Sequence, residues 1–147
     1  MEDIVAFDIL KTKVLKYILY KKRTEQEIRR KFSNENENLL DEVIEYLKEA
    51  GYINDMVYIE RAVNEFINLR TLSIREICYK LYSKGLKENI IQQYIDNNQE
   101  KLYEYEKNSA KKIYIKKSAT LEKEDIVVFL KKKGYKEESI KFGIEEE

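Results

Sequence analysis

The sequence predicts an all-α protein, an elongated array of three tandem three-helix repeats of about 49 residues each. Three observations predict it. Apolar residues recur at helical spacing along nearly the whole chain, one set of positions recurs every 49 residues, and no segment alternates apolar and polar residues well enough to compete as a strand.

The first unit is expected over residues 1–53. Leu10, Val14, Tyr17 and Ile18 share one face of a helix near 4–21. Thr24 followed three residues later by Glu27 is a capping box that opens a second helix near 24–32, with Ile28 and Phe32 inward. The polar run Ser33-Asn34-Glu35-Asn36-Glu37-Asn38 reads as a longer loop, after which Leu40, Val43, Ile44 and Leu47 mark a helix near 39–50.

The second unit, 54–98, places helices near 55–69, 73–83 and 87–97, and Ser73 with Glu76 repeats the capping box. The third, 99–147, places them near 100–117, 122–132 and 136–145. The pair Ile28/Phe32 becomes Ile77/Leu81 and then Ile126/Leu130 at steps of 49 residues, and Gly85, Ile91 and Ile95 become Gly134, Ile140 and Ile144. Gly51, Gly85 and Gly134 sit where a helix must reverse through a left-handed residue. The Schellman pattern then pairs Tyr52 with Leu47, Leu86 with Leu81, and Tyr135 with Leu130.

Charged residues make up 38% of the 147 against 43% apolar, so much of the chain must lie on solvated faces, which favours the elongated form. Basic and acidic residues number 28 each, so any basic surface is local rather than global. Histidine, proline and tryptophan are absent and Cys78 is the only cysteine, which removes the usual general base and the common metal ligands together. No Gly-rich phosphate loop occurs, and carboxylates such as Glu25 and Glu27 have no nucleophile or oriented base beside them. The expectation is a binding protein, not an enzyme, with no cofactor and no metal. The start Met1-Glu2-Asp3-Ile4-Val5 lacks the basic residues of a signal peptide and no apolar run reaches membrane-span length, so a reducing cytoplasm and no membrane are expected. No long heptad seam argues for a coiled-coil dimer, and a monomer is expected.

The residues resemble the RecX family, bacterial regulatory proteins that act on the RecA recombinase. Arg23-Thr24-Glu25-Gln26-Glu27-Ile28 is similar to the family's start of a second helix, and Gly51-Tyr52-Ile53-Asn54-Asp55 to its Gly-Tyr-Ile-Asn-Asp junction. Ile77 through Leu86, and Asp125 through Ile140, resemble the corresponding parts of its second and third repeats. The stretch Asn68-Leu69-Arg70-Thr71-Leu72-Ser73 departs from the pattern, lacking a basic-glycine turn. The resemblance implies a partner, the RecA filament on DNA, in whose groove the protein would lie, bridging protomers and limiting ATP hydrolysis and strand exchange.

Candidate partner or DNA contacts are the local clusters of cations. Lys107, Lys111, Lys112, Lys116 and Lys117 include i, i+4 pairs on one helix. Lys21, Lys22, Arg23, Arg29 and Arg30 flank the first capping box, and Lys131 and Lys132, with Lys133, end a later helix, where they equally complement the helix dipole. Tyr79, Tyr82, Tyr103 and Tyr114 lie near lysines and would stack bases if exposed, or pack at the core rim if not. The rival reading is a helical module that grips single- or double-stranded DNA directly.

Overall fold

The computed structural model describes residues 2–145. Met1, Glu146 and Glu147, which bound the first and third expected units, lie outside the described residues. The described residues form nine helices and no strand: α1 (Glu2–Tyr20), α2 (Glu25–Lys31), α3 (Glu37–Glu49), α4 (Asp55–Leu69), α5 (Ile74–Ser83), α6 (Glu88–Asn97), α7 (Gln99–Lys117), α8 (Lys123–Lys133) and α9 (Glu137–Ile144). Both capping boxes form as the sequence predicts, with Thr24 and Ser73 each accepting from the N3 backbone and receiving the N3 glutamate in return.

Two local expectations change. The polar run after α2 is shorter than a full loop over 33–38, because Asn36 caps α3 by accepting from Leu39 N at 3.0 Å and the helix resumes at Glu37 rather than Leu39. At Gly51 the Schellman bonds are present, Tyr52 N donating to Leu47 O at 2.8 Å, yet Tyr52 is exposed and its neighbour Ile53 enters the core instead. At the later turns Leu86 and Tyr135 are buried in the same cores as Leu81 and Leu130.

The apolar faces close into three cores. Leu10, Val14, Ile18, Ile28, Val43, Ile44 and Leu47 form the first. Ile59, Val63, Ile77, Leu81, Leu86 and Ile91 form the second, and Ala110, Ile126, Leu130, Tyr135 and Ile140 the third. α7 serves two of them, since Leu102 and Tyr105 pack into the second core while Ala110 lies in the third. It therefore ties the last two cores together, and it meets α9 closely enough that a Cβ on Gly143 would lie 2.9 Å from Ala110 backbone.

The contacts between neighbouring cores recur 49 residues apart. Thr24 Oγ1 donates to Lys84 O at 2.8 Å, and Ser73 Oγ donates to Lys133 O at 2.7 Å. One hydroxyl thus caps its own helix and also satisfies an open carbonyl at the end of another. Beneath these contacts the chain turns through Gly85 (φ 89°) and Gly134 (φ 95°), where an added Cβ would lie 2.5 Å from Gln26 or 2.8 Å from Arg75. Glycine is needed there both for its backbone angle and for the space it leaves. We expect Ser73→Ala to cost about 1–3 kcal/mol, since it removes a cap and leaves the Lys133 carbonyl unpartnered. Urea denaturation followed by circular dichroism checks this, and a loss below about 0.5 kcal/mol would contradict it.

Candidate anion-binding surface

The link between α4 and α5 is where backbone geometry begins to build a site. Arg70 takes the left-handed conformation (φ 56°) that the sequence does not mark with a glycine. A residue with a Cβ adopts it at some cost unless its surroundings hold it. Three side chains of α7 do so: Ser109 Oγ donates to Arg70 O at 3.0 Å, Tyr105 Oη donates to Leu72 O at 2.6 Å, and Glu106 Oε2 accepts from Ile74 N at 2.8 Å. Glu106 Oε1 also accepts from Lys136 N at 2.9 Å, so one buried carboxylate meets the N-termini of both α5 and α9, where helix dipoles favour negative charge. Ser109 shares a second bond with Tyr135 Oη at 2.7 Å, and burial pushes the Tyr135 hydroxyl well above the usual tyrosine range.

Fixed in this way, Arg70 faces a cleft of about 360 Å³ together with Lys112, Lys116 and Lys117 of α7 and Lys133 of α8. Thr71, Ile113, Thr120 and Phe129 complete the lining, and no carboxylate among the described residues contributes to it. Lys117 Nζ rests 4.2 Å from the centre of the Phe129 ring and Lys133 Nζ 5.6 Å from it, so the ring holds two of the ammonium groups in place. Lys133 also reaches Glu76 at 3.1 Å. Arg70, Lys112 and Lys116 have no side-chain ion pair among the described residues.

The sequence-predicted cations separate into distinct settings. Lys112, Lys116 and Lys117 converge on this cleft, whereas Lys107 and Lys111 turn toward Phe142 of α9, at 4.9 and 5.7 Å from its ring centre. Lys107 also pairs with Glu104 at 2.7 Å, a bond that holds its ammonium above the usual lysine range. Arg29 is bound by Glu25 at 2.9 Å and Asp41 at 2.5 Å. Glu25 receives Lys48 as well; burial works to raise its pKa, but the two cations outweigh burial and hold it below the ordinary value. Arg23 stacks over Tyr17 at 4.3 Å, while Lys21, Lys22, Arg30, Lys131 and Lys132 are exposed. Sequence reasoning omitted Arg70 and read Lys133 only as a cation at a helix end, beside Lys131 and Lys132. The i, i+4 step from Phe129 to Lys133 could have signalled the second; nothing local signals the first.

Of the tyrosines weighed as stacking platforms, Tyr79 and Tyr82 are 73% and 63% exposed on α5, while Tyr114 packs against the third core. Cys78 is half-buried and burial raises its thiol pKa, the setting of a small apolar residue rather than a reactive thiolate. Among the described residues no helix is long and apolar enough to cross a membrane, and no cluster of three potential metal ligands occurs.

Fold and cleft together define an all-helical protein that carries a cationic cleft between the α4–α5 link, α7 and α8. No family model matches the chain. Regulatory protein RecX of Finegoldia magna is 38% identical over 96 residues, covering 62% of this chain and 43% of its own length. Regulatory protein RecX of Staphylococcus haemolyticus is 32% identical over 137 residues, covering 90% of this chain and 51% of its own. The crystal structure of RecX from Lactobacillus salivarius superposes with a TM-score of 0.78 at 25% identity, over 97% of this chain and 95% of that one. The chain belongs to the RecX family. It spans about half the length of the curated relatives it matches.

Proposed function

We propose that this protein regulates the RecA recombinase by lying in the groove of the RecA–DNA filament, where it limits ATP hydrolysis and strand exchange. Membership of a family whose members are named as regulatory proteins carries the reading, and the match along 97% of the chain to a solved RecX supports it. The protein acts by binding in the cytoplasm, as a monomer and without a cofactor. Bridging two protomers favours whichever filament state it fits better, and it shifts the equilibrium only by its difference in affinity for the two states.

The three cores then correspond to three diverged copies of one three-helix unit, residues 1–53, 54–98 and 99–147, laid along the groove as an elongated array. The paired contacts of Thr24 with Lys84 and of Ser73 with Lys133, 49 residues apart, support that reading. Lys112, Lys116 and Lys117 form the main contact surface, with Lys21, Lys22, Arg23, Arg30, Lys111, Lys131 and Lys132 as further contacts. Arg29 and Lys107, already paired with acids, contribute less.

Lys112→Glu combined with Lys116→Glu should leave the helical spectrum and unfolding midpoint unchanged while cutting co-sedimentation with preformed filaments about tenfold or more, as expected for loss of charge-assisted contacts. Unchanged co-sedimentation would remove this face from the filament contact. A second reading, direct grip on DNA, is favoured by the cleft's cationic lining, to which no acid among the described residues contributes. It predicts that log affinity for bare duplex falls with log salt by about 0.9 per phosphate contact, a steeper fall than for filament binding.

A further inference from the structure

The cleft bounded by Arg70, Lys112, Lys116, Lys117 and Lys133 has a shape and charge that filament binding does not require. Its five cations come from three separate elements, the α4–α5 link, α7 and α8, and face one cavity of about 360 Å³ instead of running out along a helix. That volume lies within the range of small-molecule sites. Phe129 lies at its wall with Lys117 and Lys133 against the ring, so two of the ammonium groups are held in place before anything binds. Glu76 reaches the site only through Lys133.

We propose that this cleft binds a compact polyphosphate, the di- or triphosphate group of a small anion. Charge density favours this occupant over a nucleic-acid strand. A terminal phosphate carries about −1.5 to −2 at pH 7, so a short chain of linked phosphates concentrates several negative charges in the space the five cations enclose. A strand carries one charge per nucleotide, spread along its length, and leaves most of that positive charge unmatched. Arg70 supplies a planar fork suited to phosphate oxygens, and the lysines supply point charges around it. The Phe129 ring is covered by ammonium groups, so recognition is of the phosphates, with the remainder of the molecule outside. A bound anion would join the α4–α5 link to α7 and α8 and would occupy Lys112 and Lys116, making those lysines unavailable to another partner.

The test is isothermal titration calorimetry of the full chain with inorganic tripolyphosphate and with ATP, alongside a single-stranded oligonucleotide. We expect saturable one-to-one binding of tripolyphosphate, with ATP competing for the same site. Arg70→Gly removes a cation at a position whose left-handed backbone glycine accepts without strain, so the fold is retained; this variant and Lys116→Glu should each weaken binding about tenfold. Lys13→Glu combined with Lys16→Glu, on the exposed face of α1, changes net charge more and should leave binding intact. Equal weakening in that control would show general charge attraction and overturn the proposal. So would oligonucleotide binding that tripolyphosphate does not displace, or no saturable binding of tripolyphosphate. Filament co-sedimentation without added polyphosphate tests the filament reading separately.

Discussion

Glu106→Ala should destabilise the protein by about 2–5 kcal/mol, because it strips the side-chain acceptor from one backbone amide at each of two helix starts. Glu106 is fully buried, and its two oxygens accept from Ile74 N and Lys136 N at 2.8 and 2.9 Å. A buried carboxylate is tolerated only where donors and dipoles replace water, and here the N-termini of α5 and α9 do so. Alanine leaves both amides unpartnered and a void beside α7. Glutamine is the sharper probe, since its carbonyl keeps one bond while its amino group meets a second N–H, and it should lose somewhat less than alanine. Amide hydrogen exchange gives the local signature: Ile74 and Lys136 should lose protection before the rest of α5 and α9. Retained protection at both amides in the alanine variant would refute the two-helix role of Glu106.

Leu81→Ala should cost a comparable amount, about 2–5 kcal/mol, through the lost transfer free energy of the side chain and the cavity left behind. Leu81 is 1% exposed on α5, among Ile59, Ile77, Leu86 and Ile91 in the second core. That core is closed on another side by Leu102 and Tyr105 of α7, which limits how far the site can collapse around the void. Tyr79→Ala, two residues away on the same helix but 73% exposed, should fall within about 0.5 kcal/mol of the parent in the same urea titration. Equal effects at the two positions would mean that α5 does not anchor through Leu81.

The helices were readable from sequence because their determinants are local. Thr24 with Glu27, Ser73 with Glu76, and the glycines at 51, 85 and 134 carry their instructions within a few residues, and the inward faces follow from the spacing of Ile28, Ile77 and Ile126. The start of α3 was misplaced by two residues because one of several asparagines, Asn36, acts as a cap, and composition alone does not say which. Tyr52 and Ile53 are adjacent and both apolar, so only packing decides that isoleucine goes inside.

The site was less legible, for the opposite reason. Its framework rests on contacts between residues 26 to 39 apart in sequence, Ser109 with Tyr135 and Arg70, Tyr105 with Leu72, and Glu106 with Ile74 and Lys136. In the sequence these polar residues look like part of the solvated face of a long charged helix. Lys112, Lys116 and Lys117 were visible as a basic run, but their meeting with Arg70 and Lys133 depends on a left-handed turn in a residue type that rarely marks one. The run also divides: Lys107 and Lys111 share its spacing yet turn toward α9, because Phe142 offers them a ring.

DNA-stimulated ATP hydrolysis by the cognate RecA, titrated with the purified protein, tests the proposed function most directly. Binding across protomers in the filament groove predicts inhibition at amounts well below one molecule per RecA protomer, weakened by the paired substitutions at Lys112 and Lys116. Unchanged hydrolysis at equimolar protein would contradict filament regulation.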